Sequence, residues 1–363
     1  MSHRTVIIAE AGVNHNGSLE MALELVDRAR ECGADVIKFQ TFKADRLVTG
    51  EVQKANYQKT TTGRSESQYD MIKKLELTEE DFLAIERRCR QVGIEFMSTP
   101  FDEESLDFLV QQCGVKTIKF SSGEITNGPL LLAAARTGRK ILLSTGMSTI
   151  GEVERALSVL AYGFLAESEP PSLEAFDRAY SSPQGQAALT RNVMLLHCTT
   201  EYPAPFEEVN LRVMDTLKAS FGLETGYSDH TVGIAVPIAA AARGAAVIEK
   251  HFTLDRTLPG PDHQSSLEPD EFKAMVEAIR AVEQSLGSPV KIPAASEQKN
   301  KPVVRKTIVA AKPIREGEPF TVDNLTVKRA GSGISPMLFW ELLGQKADRP
   351  YGKDQVIQHA VKS

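Results

Sequence analysis

The chain has 363 residues, too many for one ordinary domain but enough for a barrel of about 250 residues with a small second unit. Hydrophobic residues make up 42% and charged residues 25%, and the formal net charge is −6 with the two signs interspersed, which excludes a disordered chain and a basic nucleic-acid surface. No segment approaches about 18 uninterrupted apolar residues and MSHRTVIIAEAG lacks a signal-peptide pattern, so neither a membrane nor a nucleic-acid partner is expected. The cysteines Cys32, Cys89, Cys113 and Cys198 form no CxxC pair, and scattered reduced thiols fit a cytoplasmic location.

From the N-terminus, short β-branched runs alternate with longer amphipathic segments, the pattern of parallel β/α units. The strand candidates are Val6 to Ala9, Val36 to Gln40, Glu95 to Thr99, Thr117 to Phe120, Ile141 to Ser144, Val193 to His197, Thr225 to Tyr227 and Val247 to Lys250. Eight such runs predict an α/β fold closed as a (β/α)8 TIM barrel over residues 1–290. Helices are predicted over Leu19 to Cys32, Glu79 to Val92, Glu103 to Gln112, Ile150 to Leu160 and Pro269 to Leu286, several opened by Ser, Thr or Asp caps. The polar stretch Phe42 to Leu77 is too long for a βα turn and is read as a loop over the top face. The Pro- and Ser-containing stretch Glu167 to Thr190 is read as an irregular peripheral insertion. Beyond Gly287 the helical period stops, so residues 291–302 read as a linker and residues 303–363 as a small β-rich module with runs at Thr307 to Ala310, Leu325 to Lys328 and Gln355 to His359.

In a β/α barrel, reactive groups gather at the C-terminal ends of the strands. Every predicted strand ends in polar residues here. Lys is almost never buried without a partner, so Lys38 and Lys119, inside apolar runs, call for an anion in the barrel mouth. Hydroxyls from Thr99, Ser122 and Ser144 would complete a phosphate or carboxylate site. A Schiff base on one lysine is the competing reading, which the presence of two lysines and several hydroxyls disfavours. His230 and His251 follow adjacent strands, and two imidazoles with open positions suit a divalent Lewis acid, with His263 a third candidate. Glu124 is the acid/base candidate, or else a helix-start carboxylate favoured by the dipole. The turn STGMSTIGE could lead into a phosphate-binding helix, but no GxxxxGK[ST] occurs, so nucleotide binding is not supported.

The motifs IIAEAGVNHNGS, VIKFQTFKAD, STPFDEESLDFL, KFSSGEITN, LSTGMST, LLHCTTEYPAPFEEVNL, GYSDHT, IEKHFTLD and PGPDH, in this order, resemble the sialic acid synthase family over almost the whole chain. VKRAGSGISP followed by LLGQKA is similar to the antifreeze-like (SAF) domain fused to those enzymes. The resemblance implies condensation of phosphoenolpyruvate with N-acetylmannosamine to a nine-carbon 2-keto acid, with a legionaminate or other nonulosonate synthase acting on a 6-deoxy diacetamido hexose as the alternative. A non-enzymatic carbohydrate-binding protein is a distant third reading, supported only by the terminal module.

Carried onto matching positions, the resemblance assigns phosphoenolpyruvate to Lys38, Thr99, Lys119, Ser122, Ser144, Tyr202 and Ser228, and the sugar to Glu10 and Asp262. It assigns Mn2+, or another divalent ion such as Mg2+ or Co2+, to His230 and His251, and the positioning of water to Glu124. Arg329 matches an arginine that one subunit inserts into its partner's barrel, which implies a domain-swapped homodimer. Ala330 stands where proline is common in the family, and Thr200 where some members have asparagine.

Overall fold

The computed structural model describes residues 4–49, 54, 67–166 and 169–358. The chain divides into two compact units, Met1–Gly287 and Ser288–Ser363. In the first, eight parallel strands form one sheet: β1 (Val6–Gly12), β2 (Val36–Thr41), β3 (Glu95–Pro100), β4 (Thr117–Phe120), β5 (Lys140–Ser144), β6 (Val193–His197), β7 (Glu224–Asp229) and β8 (Val247–His251). The ladder runs β3-β2-β1-β8-β7-β6-β5-β4, so the first and last strands in sequence are neighbours and the sheet curls into a barrel. The remaining pair, β3 and β4, lies side by side at the seam and leaves the barrel nearly closed.

Alternation along the strands divides their side chains between two environments. Those pointing outward, such as Ile7, Ile37, Ile118, Leu143, Leu195 and Ile248, join the large core shared with the helices. Those pointing inward are sorted by height. The lower interior is filled by Ile8, Val36, Met97, Leu142, Leu196 and Val247, a packed apolar plug. One step further along each strand, at the C-terminal rim, the inward positions turn polar.

Capping accounts for the helix starts expected from the sequence. Ser18, Thr78, Asp102 and Thr149 each accept a backbone N–H of the first turn, and Thr78 with Asp81 and Thr149 with Glu152 close reciprocal capping boxes. Helix Ile150–Leu165 runs five residues beyond the expected end, because Ala161 and Tyr162 continue its buried stripe. Two expectations are corrected. The stretch Glu167 to Thr190 is largely helical, with helices Leu173–Ser181 and Pro183–Asn192. Pro183 occupies a first-turn position, where its missing N–H is harmless, so it starts a helix rather than breaking one.

The segment Phe42 to Leu77 is likewise not a simple loop in its described parts. It carries helices Ala44–Leu47 and Gln68–Lys74, while 50–53 and 55–66 lie outside the described residues. Its ends are pinned by a separate apolar cluster of Val13, Phe42, Ala44, Met71, Ile72 and Leu75. The overall polarity of the stretch hid that cluster.

In the second unit, β9 (Thr307–Ala310) and β10 (Leu325–Lys328) pair antiparallel, and isolated bridges such as Ile314 to Tyr351 extend the β-rich module. Ile308, Ile314, Phe320, Leu325, Leu342 and Tyr351 form its own core. The stretch read as a linker holds two single-turn helices, Ala295–Gln298 and Lys301–Val304. Val356 bridges to Val309, whereas His359 lies outside the described residues.

Candidate active site

The polar rim is organised around a carboxylate that sequence reasoning left unassigned. Glu249, on the inner face of β8, lies 3.1 Å from Lys119 Nζ and 3.2 Å from Lys38 Nζ, and accepts a 2.7 Å hydrogen bond from Ser228. Lys38 also touches Glu10. All five side chains are buried. The two lysines are therefore not bare cations: protein carboxylates already pair with them in the barrel mouth, where the sequence called for an anion. Burial raises the Glu249 carboxyl, but Lys119 and Lys38 outweigh it and the net displacement is downward, so it stays ionised. Burial draws the Lys38 ammonium down to about 7, with Glu249 resisting and Lys119 adding to the fall.

The bulge in β1 brings Glu10 into this group. Pairing with β2 slips between Glu10 and Gly12, and Gly12 takes a positive φ of 52°. A Cβ at Gly12 would lie 3.0 Å from Glu10 Oε1, 3.4 Å from Gln40 Nε2 and 3.8 Å from Asp262 Oδ2, so Glu10, Gln40 and Asp262 converge on one spot. Asp262 is buried, and burial pushes its carboxyl up to about 6 against the pull of Lys38.

A second convergence lies at Gly146, just past β5. A Cβ there would meet Thr200 Oγ1 at 2.3 Å, Ser122 Oγ at 2.7 Å and Cys198 Sγ at 2.8 Å, and the Gly146 N–H donates to Ser122 at 3.0 Å. Only glycine fits this cradle. Thr99, Ser144 and Thr200 each keep a buried hydroxyl oxygen without a hydrogen-bond partner, and such atoms in a native fold call for a ligand or water.

His230 and His251 meet as the strand order requires, with ring centroids 5.5 Å apart. Tyr202 lies against His230, ring centroids 4.1 Å apart and tilted by 32°, and meets His251 edge-to-face at 5.6 Å. Burial lowers the His230 imidazolium to about 4 and the His251 imidazolium well below its ordinary value, so both rings are neutral. His230 Nδ1 contacts the Thr199 carbonyl at 2.6 Å, and since a carbonyl only accepts, that nitrogen carries the proton and Nε2 keeps its lone pair. His251 Nδ1 is buried without a partner. Among the described residues no group of three or more His, Cys, Asp or Glu is arranged to hold a metal.

His263, the third histidine candidate, is engaged elsewhere. Its ring contacts Thr253 at 2.7 Å and Asn16 at 3.2 Å, locking the loop after β8 onto the loop after β1. Glu124 ends a single 3-10 turn, Ser122–Glu124, where it accepts a 2.7 Å bond from Asn127, and burial raises its carboxyl. It is not among the groups gathered at Gly12 or Gly146. Arg329 is exposed just after β10 in the second unit. Glu249 was legible in principle: in IEKH it stands two residues before His251, hence on the same face of the strand. The Gly146 cradle was not, because contact between Cys198, Thr200 and Ser122 depends on how three strands are placed around the barrel.

A nearly closed parallel barrel that gathers paired buried lysines, orphaned hydroxyls and two histidines at the strand C-termini belongs, by fold and by where its polar groups sit, with the β/α-barrel enzymes. The chain belongs to the NeuB family, whose model matches residues 25–291, and a SAF domain follows at residues 305–360. It is 47% identical to an N,N'-diacetyllegionaminic acid synthase of Campylobacter jejuni, covering 98% of this chain and 99% of that protein. It is 45% identical to the N,N'-diacetyllegionaminic acid synthase of Legionella pneumophila, over 94% of this chain and 89% of that one. The crystal structure of an N-acetylneuraminic acid (sialic acid) synthetase from Leptospira borgpetersenii, in complex with citrate, matches with a TM-score of 0.65 and 34% identity, covering 82% of this chain and 90% of that one.

Proposed function

We propose that the chain is an N,N'-diacetyllegionaminate synthase, condensing phosphoenolpyruvate with 2,4-diacetamido-2,4,6-trideoxymannose and releasing phosphate. The observation that carries the choice of acceptor is the near full-length identity of 47% and 45% to two proteins of that name, against 34% to the sialic acid synthetase. N-acetylmannosamine, which sequence reasoning put first, becomes the second reading, kept by the likeness to that synthetase. Turnover with each sugar tests it. A kcat/KM at least about tenfold higher for the diacetamido sugar, or ~1.4 kcal/mol of transition-state discrimination, is expected. A preference for N-acetylmannosamine would overturn the assignment.

The two convergences of the rim fit the two substrates. Lys38 and Lys119, aimed by Glu249, hold the anionic phosphoenolpyruvate, with its phosphate toward the Gly146 cradle, where Ser122 and Thr200 join the unpaired hydroxyls of Thr99 and Ser144. Tyr202 and Ser228 complete that pocket. Glu10 and Asp262, which meet at Gly12, accept hydrogen bonds from the sugar. C3 of the enol attacks the open-chain aldehyde, forming the new C–C bond and leaving C2 cationic. Water held by Glu124 adds to C2 and loses one proton, which neutralises the alkoxide left from the aldehyde, and loss of its second proton as the C2–O bond to phosphate breaks expels hydrogen phosphate and leaves the 2-keto acid.

The donor set suits a divalent cation such as Mn2+, Mg2+ or Co2+. His230 and His251 are neutral, buried and side by side, with the His230 tautomer fixed for ligation and His251 Nδ1 unpartnered. When bound, the ion supplies Lewis-acid polarisation of the aldehyde. With two protein ligands, the remaining positions are open to substrate oxygens and water. The likeness of VKRAGSGISP to the family supports Arg329 entering a partner's barrel in a homodimer.

A further inference from the structure

We propose that Asp229 and Lys250 are positioning residues that set the spacing of His230 and His251 from the opposite face of the sheet. The inference rests on the reading of the two histidines as metal ligands, and it assigns a task to a buried ion pair that the chemistry above does not use.

Asp229 and Lys250 immediately precede the two histidines, and strand alternation sends them outward while the histidines point inward. They are also register partners between β7 and β8. Lys250 Nζ lies 2.5 Å from Asp229 Oδ2, and both side chains are completely buried. Lys250 also donates to the carbonyl of Thr231. Asp229 Oδ1 accepts from Tyr227 OH at 2.9 Å, from the Thr231 N–H at 3.1 Å and from the Thr231 hydroxyl at 2.9 Å. The residues on both sides of His230 are thereby tied to the residue before His251.

The apolar surroundings give no other reason for charge. Tyr227, Ile248 and Phe252 are fully buried in the core between barrel and helices, where a hydrophobic pair would pack with no desolvation penalty. What an apolar pair would lack is direction. The ion pair and its further hydrogen bonds fix where two strand ends sit, and β7 leaves the ladder just beyond Asp229, so that His230 itself is held from the loop after β6, its carbonyl accepting from the Ala204 N–H at 2.9 Å and its Nδ1 bonded to the Thr199 carbonyl. The Thr199 carbonyl sets the tautomer of His230, and the ion pair sets the position of its ring relative to His251.

The test is direct binding of Mn2+ to the full-length chain, followed by electron paramagnetic resonance, alongside phosphoenolpyruvate binding measured in EDTA. Asp229→Asn and Lys250→Met are expected to raise the Mn2+ Kd about 10- to 100-fold while leaving phosphoenolpyruvate affinity unchanged. Because either change leaves a buried partner charge, Tyr227→Phe combined with Thr231→Val supplies a milder variant, expected to fold and to show a smaller rise. A Mn2+ Kd within twofold of wild type in any variant that folds would overturn the inference, as would a matching loss of phosphoenolpyruvate binding. No Mn2+ binding by the wild-type chain would remove the metal reading itself, and this inference with it.

Discussion

At Asp262 a single buried carboxyl makes stability depend on pH. Free aspartate titrates near 3.8, whereas burial pushes this carboxyl up to about 6. Between those values the folded state holds a proton that the unfolded state has released, so folding weakens as pH rises through the window and the penalty is complete above pH 6. Asp262→Asn does not titrate. Its stability relative to wild type should therefore grow between pH 4 and pH 7, by about 2 kcal/mol in urea unfolding, while KM for the sugar rises. A variant less stable than wild type at pH 7 would show that the carboxylate is held by contacts strong enough to offset its burial.

At the scale of the element, the strand-to-loop turn after β5 places a glycine where side chains following the neighbouring strands β4 and β6 converge. Gly146→Ala would set a methyl 2.3 Å from Thr200 Oγ1 and 2.7 Å from Ser122 Oγ, so phosphoenolpyruvate affinity should fall at least about tenfold and stability by ~1–3 kcal/mol. Gly151→Ala, with nothing within 4 Å of the new methyl, should change neither in calorimetry or thermal melts. The eight strands and the capped helices were legible because each follows from local periodicity and cap chemistry, as with Thr78 and Asp81 or Thr149 and Glu152. Adjacency of β7 and β8 likewise made the His230–His251 meeting foreseeable. The helices within 167–190 were missed because Pro183 reads as a breaker until its first-turn position is known. For Glu249 the inward face was legible from IEKH, but its bridging of lysines from β2 and β4 was not, since that contact across the barrel is encoded by no local pattern.

For the whole molecule, the proposed synthase joins a barrel whose chemistry sits in its own rim to a terminal unit with its own small core. If Arg329 is supplied in trans, then Arg329→Ala and Lys119→Met chains are each inactive alone, but mixed dimers regain one competent site. Equal mixing and random reassociation should restore about a quarter of wild-type phosphate release, whereas an arginine used in cis restores none. The most direct measurement of the central claim is phosphate release from phosphoenolpyruvate with the diacetamido sugar, in Mn2+ and after EDTA. Release that requires both sugar and metal is predicted. Contradiction would come from no release, or from EDTA-resistant turnover in which borohydride traps the substrate on Lys38 or Lys119.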